Sequence, residues 1–345
     1  MKPSLVDIPV LLIFFNRPEP LKKVFNSIRQ ARPSKLFLIQ DGARKNRPDD
    51  EENINKCRKV VSEIDWECEI YTNYSESNLS CDPRVFSGIS WAFQYVDRLI
   101  ILEDDCVPSG SFFQFCAEIL EKYKNDERIQ MISGMNHIGE DTTNSDSYFF
   151  SQSGAGWGWA TWKRAWEKVE LQKDFDYLVD PHANKLMSNL FRTVAPKGYK
   201  NFTLLAQKKR LINIQTGKVS TWENAVGVST FLQSQLVILP TKNLISNIGL
   251  TEDSTHAVNN MKKLSKGIQR VFNMETYELE FPLKHPKFII RDVEYEEKVR
   301  KIMNPNIIIK FYRRIETFLR KIIFTKKSER KSLLTYYIKK FTAKN

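Results

Sequence analysis

Residues 99–106 read LIILEDDC, four apolar residues running into Glu103, Asp104 and Asp105. Three adjacent carboxylates repel one another, and each is costly to remove from water. Two chemistries account for them. In one, the acids face solvent and start the next turn, as Asp often does. In the other, they surround a divalent cation. Hard oxygen donors suit magnesium or manganese, and magnesium commonly takes one or two carboxylates and completes its shell with substrate phosphates. A second acid, Glu223, lies in TWEN (221–224) where a helix can start at Thr221. By itself it reads as a helix N-terminal acid favoured by the dipole.

These residues need elements to position them. PVLLIFF (9–15), KLFLIQDG (35–42), ECEIYTNY (67–74), RLIILEDD (98–105) and RIQMISGMN (128–136) are strand-like runs. Between them, residues 19–30, 50–64, 83–96 and 111–123 carry apolar side chains at helical spacing. Strand and helix in alternation, with continuous apolar strands, predict a parallel sheet covered on both faces. On such sheets ligands sit at the carboxyl ends of the strands. Asn16-Arg17, Gln40-Asp41 and Glu103-Asp104-Asp105 all occupy such ends, so one crevice should gather them.

The second half reads differently. SGAGWGWATWKRAW (153–166), rich in Gly and Trp, is read as a loop running into a helix near Ala160. Indole rings offer wide contact faces to a ligand and glycine permits close approach, while core packing explains some of the tryptophans equally well. Trp157 and Trp159 are the better site candidates; Trp162 and Trp166, at helical spacing, are assigned to the core. Residues 174–215 read as mainly helical, and VILPTKNLISNIG (237–249) as two short strands split by Pro240.

The 345 residues carry a net charge of +12, unevenly spread. From Lys301 onward thirteen Lys and Arg face only Glu316 and Glu329, so this end holds +11 of the total. A near-neutral body argues against nucleic acid as its partner. Five cysteines without a C-x-x-C pair indicate neither a disulfide framework nor a zinc site, and suit a reducing compartment. The apolar run Pro9–Phe15 is too short to span a membrane and lacks a cleavage signal, so no signal peptide is read.

FNRP (15–18), IQDG (39–42), LEDDC (102–106), GWGWATW (156–162), TWEN (221–224) and SNIG…EDSTH (246–256) occur in one order across about three quarters of the chain. Together they resemble bacterial nucleotide-sugar glycosyltransferases of the GT-A fold, in the branch related to N-acetylglucosaminyltransferase I. The resemblance implies an α/β, Rossmann-like, mostly parallel sheet with helices on both faces. It implies Asp105 as the direct ligand of Mn2+ or Mg2+, Asp104 facing sugar or ribose, and Glu103 in support. It assigns Arg17 and Asp41 to the base and ribose of the nucleotide, and Glu223 to the catalytic base, where relatives usually have Asp. His256, in the late polar loop, is either structural or completes the metal or diphosphate site. Arg84 is placed to reach a phosphate or to lie on a solvated helix face. The donor is a nucleoside-diphosphate sugar, UDP by resemblance, and the reaction inverts the anomeric centre.

Residues 1–290 are expected to form this catalytic domain and 291–345 a basic helical extension. In PNIIIKFYRRIETFLRKIIFT (305–325), Ile308, Phe311, Tyr312, Ile315, Phe318, Leu319 and Ile322 follow helical spacing, with Lys and Arg on much of the other face. Such a helix suits an anionic membrane surface, with docking on the body as its alternative. The expected setting is the cytoplasmic face of the cell membrane, and the expected acceptor a cell-surface glycan or lipid-linked glycan. Two rival readings stand beside this one. A sugar-1-phosphate nucleotidyltransferase would need a glycine-rich basic loop after the first strand, and FFNRPEPLKK has no glycine. A non-enzymatic membrane-bound scaffold would have no need of the retained acids.

Overall fold

The computed structural model describes residues 1–171, 180–193, 222–250, 266–303 and 307–324. The core is an α/β sheet of eight strands in the order β3-β2-β1-β4-β8-β6-β9-β7. Its first half is parallel. β1 (Val10–Phe14) lies between β2 (Lys35–Gln40) and β4 (Arg98–Glu103), and β3 (Glu69–Tyr74) closes the edge. The strand order reverses between β1 and β4, the position at which Rossmann-like sheets open a binding crevice. β6 (Ile129–Ser133) and β9 (Leu236–Pro240) also run parallel to each other, while β8 (Trp159–Trp162) and β7 (Tyr148–Ser151) run antiparallel to their neighbours. The mostly parallel, Rossmann-like sheet expected from the strand-helix alternation is thus the observed one.

Helices cover both faces. α1 (Pro18–Ala31), α2 (Asp49–Val61) and α4 (Ser111–Lys122) bury Leu21, Val24, Phe25, Ile28, Cys57, Phe112 and Ile119 with Leu12, Leu38 and Leu102 on one face. α3 (Cys81–Ala92), α5 (Lys163–Glu170) and α7 (Glu223–Leu232) bury Val85, Ile89, Trp166 and Val226 with Ile13, Ile39 and Ile101 on the other. Alternate residues of each central strand therefore face opposite helical layers, which is why these strands read as unbroken apolar runs.

The loop-to-helix expectation for GWGWATW is corrected. Trp159–Trp162 is a strand, inserted antiparallel between β4 and β6, and α5 begins only at Lys163. Flanking strands on both sides supply the hydrogen-bond partners that local spacing does not reveal. Gly158 precedes it with φ +59, and a Cβ there would lie 2.3 Å from Ile245 Cδ1, so only glycine fits. β5 (Cys106–Pro108) pairs antiparallel with β10 (Ile245–Asn247), bringing SNIG beside LEDDC. α6 (Pro181–Thr193) falls within the segment expected to be helical; most of the rest of that segment lies outside the described residues.

After residue 290 the chain stays attached to the body at first. Arg291 bridges Phe150, Asp292 N–H donates to Phe150 O at 2.7 Å, and Tyr295 and Glu296 of the helix Val293–Met303 are buried. A further helix, Ile307–Phe324, forms the basic extension. No helix among the described residues is long and apolar enough to cross a membrane.

Candidate functional site

The register of β1 builds the site. Ile13 lies opposite Glu103 on β4 and Phe14 opposite Gln40 on β2, so Arg17, Asp41 and the three acids leave neighbouring strand ends. Gln40 is buried and fixes the turn after β1: its amide donates to Phe15 O at 2.9 Å and Ile54 O at 3.2 Å, and its oxygen accepts from Arg58 Nε at 2.8 Å. Asn16 donates to Asp50 at 2.7 Å, and Asp50 in turn receives the Arg44 guanidinium. The turn carrying Arg17 is therefore held by side chains of β2, α2 and the loop between them.

Arg17 reaches across the switch point to the acids. Its Nη2 pairs with Asp104 Oδ1 and, at 2.8 Å, with Asp105 Oδ2, and its Nε lies 3.4 Å from Asp104 Oδ2. Phe15 N–H also donates to Asp104. Burial alone would lower the pKa of this guanidinium, but the charges of Asp104 and Asp105 outweigh it and raise the pKa above the usual arginine range. Asp104 is pushed up by burial, with Arg17 opposing that shift. Glu103 is pushed well up by burial first, then by Asp105, Glu223 and Asp104. The three crowded acids are thus accommodated physically: one guanidinium offsets two of them, and burial favours the protonated form of Glu103.

Glu223 is the first residue of α7 and lines a cavity of about 130 Å³ with Gly156, Ser153, Trp222 and Thr230. Its charge acts on both Glu103 and Cys81, so the fold carries the start of α7 to the same end of the sheet as LEDD. A Cβ on Gly156 would lie 2.9 Å from the Trp222 ring and 3.4 Å from Glu223 Cγ, so the GWGW loop is what Trp222 and Glu223 pack against.

Other expected residues are placed differently. Asp41 spends Oδ1 on the Gly42 and Leu79 amides and Oδ2 on Ser80 N and Asn78 Nδ2. Burial raises its pKa against the pull of those amides. It shapes the loop at the crevice wall, and its oxygens are occupied. Arg84 departs from the expectation of a phosphate contact: it is buried and donates to Gln40 O and to both oxygens of Asn73, tying β2 to β3. Trp159 departs from the stacking expectation. It is 1% exposed, stacked on Trp222 at 5.3 Å and flanked by Trp166, because a strand position on the sheet's buried face encloses the ring. Trp157 keeps partial exposure and leans on Phe272 at 5.2 Å. Trp162 and Trp166 are core residues whose indole N–H groups donate to Leu120 O and Ser90 Oγ. His256 lies outside the described residues.

Three residues given no individual role by the sequence, Asn247, Ile248 and Gly249, complete the corner. Ile248 N–H donates to Asp105 O at 2.9 Å, and Asn247 Oδ1 accepts from Gly249 N at 2.9 Å. A Cβ on Gly249 would stand 2.0 Å from Asp105 Oδ2. The glycine after SNI is the signal that could have exposed this: only a residue without a side chain leaves that carboxylate oxygen room.

Among the described residues no three His, Cys, Asp or Glu side chains converge as a ready-made metal cage. The donor set is two hard carboxylates, Asp104 and Asp105, with the space beside Asp105 that Gly249 leaves. That set fits a magnesium or manganese ion that draws most of its ligands from substrate phosphates. Such an ion and Arg17 would compete for the same oxygens.

No family model and no curated protein matches the chain. A solved structure of UDP-glucose pyrophosphorylase complexed with UDP-glucose is similar over 70% of this chain and 92% of that chain, at 8% identity and a TM-score of 0.32. At that distance the likeness says nothing about activity. The class this chain belongs to is set by its own topology: an α/β protein with a Rossmann-like sheet and an acid-lined switch point.

Proposed function

We propose that this protein is a metal-dependent, inverting glycosyltransferase of the hexosyltransferase class. It moves a sugar from a nucleoside-diphosphate sugar, UDP by preference, to a hydroxyl of a cell-surface or lipid-linked glycan. The observation that carries the reading is the meeting of Arg17, Glu103, Asp104 and Asp105 at the β1/β4 switch point, with Glu223 within charge reach. Asp105 would hold Mn2+ or Mg2+ with Asp104 beside it and Glu103 behind, and His256 is proposed to complete that shell. Bound there, the ion supplies positive charge to the departing diphosphate. Arg17 supplies a second cation to the same oxygens. Glu223 accepts the proton of the acceptor hydroxyl as its oxygen bonds to the anomeric carbon, and the bond from that carbon to the diphosphate breaks with its electron pair leaving on the diphosphate. Attack from the face opposite the nucleotide inverts the centre. Trp157, with part of its ring open, is the aromatic residue offered to the sugar. The basic end of the chain would bring the enzyme to the cytoplasmic membrane face.

The test is a panel of nucleotide sugars with manganese, read as released nucleoside diphosphate, on wild type and Glu223→Gln. Release by wild type, with donor binding retained and turnover lost in Glu223→Gln, supports the reading. Unchanged turnover in the variant removes Glu223 as the base. Pyrophosphate formed from UTP and a sugar 1-phosphate, with no release from any nucleotide sugar, would replace the reading by the nucleotidyltransferase one.

A further inference from the structure

The helix Ile307–Phe324 is amphipathic, and it is mounted on the body in an unusual sense. Soluble proteins ordinarily turn the apolar stripe of such a helix inward. Here, among the described residues, polar side chains supply the hydrogen bonds of the attachment, beside the half-buried Phe318 and Ile322. Arg313 Nη1 donates to Ile302 O at 2.9 Å, and Glu316 Oε1 accepts from Lys266 N at 3.2 Å and from Arg320 Nε at 2.8 Å. A Cβ on Gly267 would stand 2.5 Å from Arg313 Nε, so a glycine lets that side chain seat. Residues 313, 316 and 320 lie on one face by their spacing.

The neighbouring row, roughly 100° around the helix, is apolar and exposed. Ile308, Tyr312, Ile315 and Leu319, at spacings of four, three and four, are 67%, 73%, 42% and 51% exposed, and Phe311 beside them is 63% exposed. Lys310 and Arg314 are exposed as well. An uncovered aromatic and aliphatic stripe is costly in water and marks a contact surface. Charge selects among its possible occupants. Residues 307–324 carry five Lys or Arg against Glu316, and residues 325–345 carry seven against Glu329. Folding the last segment over the stripe, or pairing two copies through it, would set cation against cation. An anionic surface that also dissolves apolar side chains removes both costs.

We infer that the outward row Ile308–Phe311–Tyr312–Ile315–Leu319 is the membrane-contact face of the protein, held toward an anionic bilayer by the Arg313–Glu316 attachment. The helix lies in the lipid surface and does not cross it, in keeping with its content of charge. The inference rests on the membrane reading of the basic tail and is independent of the transfer chemistry.

The test uses the full chain and sedimentation with phosphatidylcholine vesicles, with and without phosphatidylglycerol. The variants are Tyr312→Ser/Ile315→Ser/Leu319→Ser, and Lys310→Gln/Arg314→Gln. All five positions are exposed or edge the stripe, so the thermal midpoint should not change. Wild type should sediment with the anionic vesicles only. The triple serine variant should partition at least about tenfold less, since each side chain contributes order-of-magnitude apolar transfer. The charge variant should weaken at low salt and match wild type at high salt. Wild-type binding that the triple variant keeps in full overturns this inference while leaving the tail reading intact through residues 325–345. Failure of wild type to bind any vesicle overturns both. Concentration-dependent dimers that the serine variant abolishes, without vesicle binding, would assign the face to a second copy instead.

Discussion

Removing Arg17 is the sharpest perturbation of the switch point. Its side chain is 17% exposed, and those of its partners Asp104 and Asp105 are 4% and 13% exposed. In Arg17→Ala, Asp104 keeps only the long Phe15 N–H bond of 3.4 Å, and Asp105 loses its cation. Breaking one side of a buried ion pair leaves an uncompensated charge, and the loss should be about 3 kcal/mol or somewhat more. A surface pair would have cost under about 1 kcal/mol. The assay is chemical denaturation of wild type, Arg17→Ala and Arg17→Ala/Asp104→Asn. The double variant removes the stranded charge and should recover about half of the loss. Manganese should raise the thermal midpoint of Arg17→Ala more than that of wild type, because the guanidinium no longer competes for the oxygens. A loss below about 1 kcal/mol, or a double variant worse than the single one, would refute the view that Arg17 neutralises these acids.

Three further outcomes follow from the same geometry. Trp159→Ala should cost about 3–5 kcal/mol by denaturation, whereas Trp159→Phe should cost much less, since the indole N–H has no partner to lose; equal costs would contradict the enclosed position of the ring. Gly249→Ala should abolish nucleotide binding while leaving the far-ultraviolet spectrum unchanged, because its methyl would meet Asp105 Oδ2 at 2.0 Å; retained affinity would mean that this corner is not the site. Burial lowers the His137 imidazole from its ordinary 6.5 to about 4. Above 6.5 both folded and unfolded chains hold it neutral, so its contribution is complete there. As pH falls from 6.5 toward 4 the unfolded chain takes up the proton first, and about 2–3 kcal/mol of stability is lost, less where solvent reaches the ring. His137→Asn should flatten that part of the stability curve, and an unchanged slope would refute the assignment.

Much of this site could be read from the chain because the parallel half of the sheet is locally encoded. β1, β2 and β4 are apolar runs ending in polar residues, and the switch-point rule places Arg17 and LEDD together before any coordinate is known. What stayed hidden depends on partners far away in sequence. WATW becomes a strand only because β4 and β6 flank it, and that decides that Trp159 faces the core. The three-residue β5 exists by pairing with β10, about 140 residues onward. Arg84 looks like any helix cation, and nothing nearby in sequence shows that the carbonyls of Gln40 and Asn73 await it. The tail's periodicity gave its two faces, but only the Arg313 and Glu316 contacts show which face turns inward.

Calorimetric titration of UDP, with and without manganese, into wild type and Asp105→Ala tests the central claim most directly. The account predicts manganese-dependent binding to wild type and a loss of about a hundredfold or more in the variant, as expected when a charged ligand group is removed. Equal affinity in the two proteins, or no UDP binding by wild type under either condition, would contradict it.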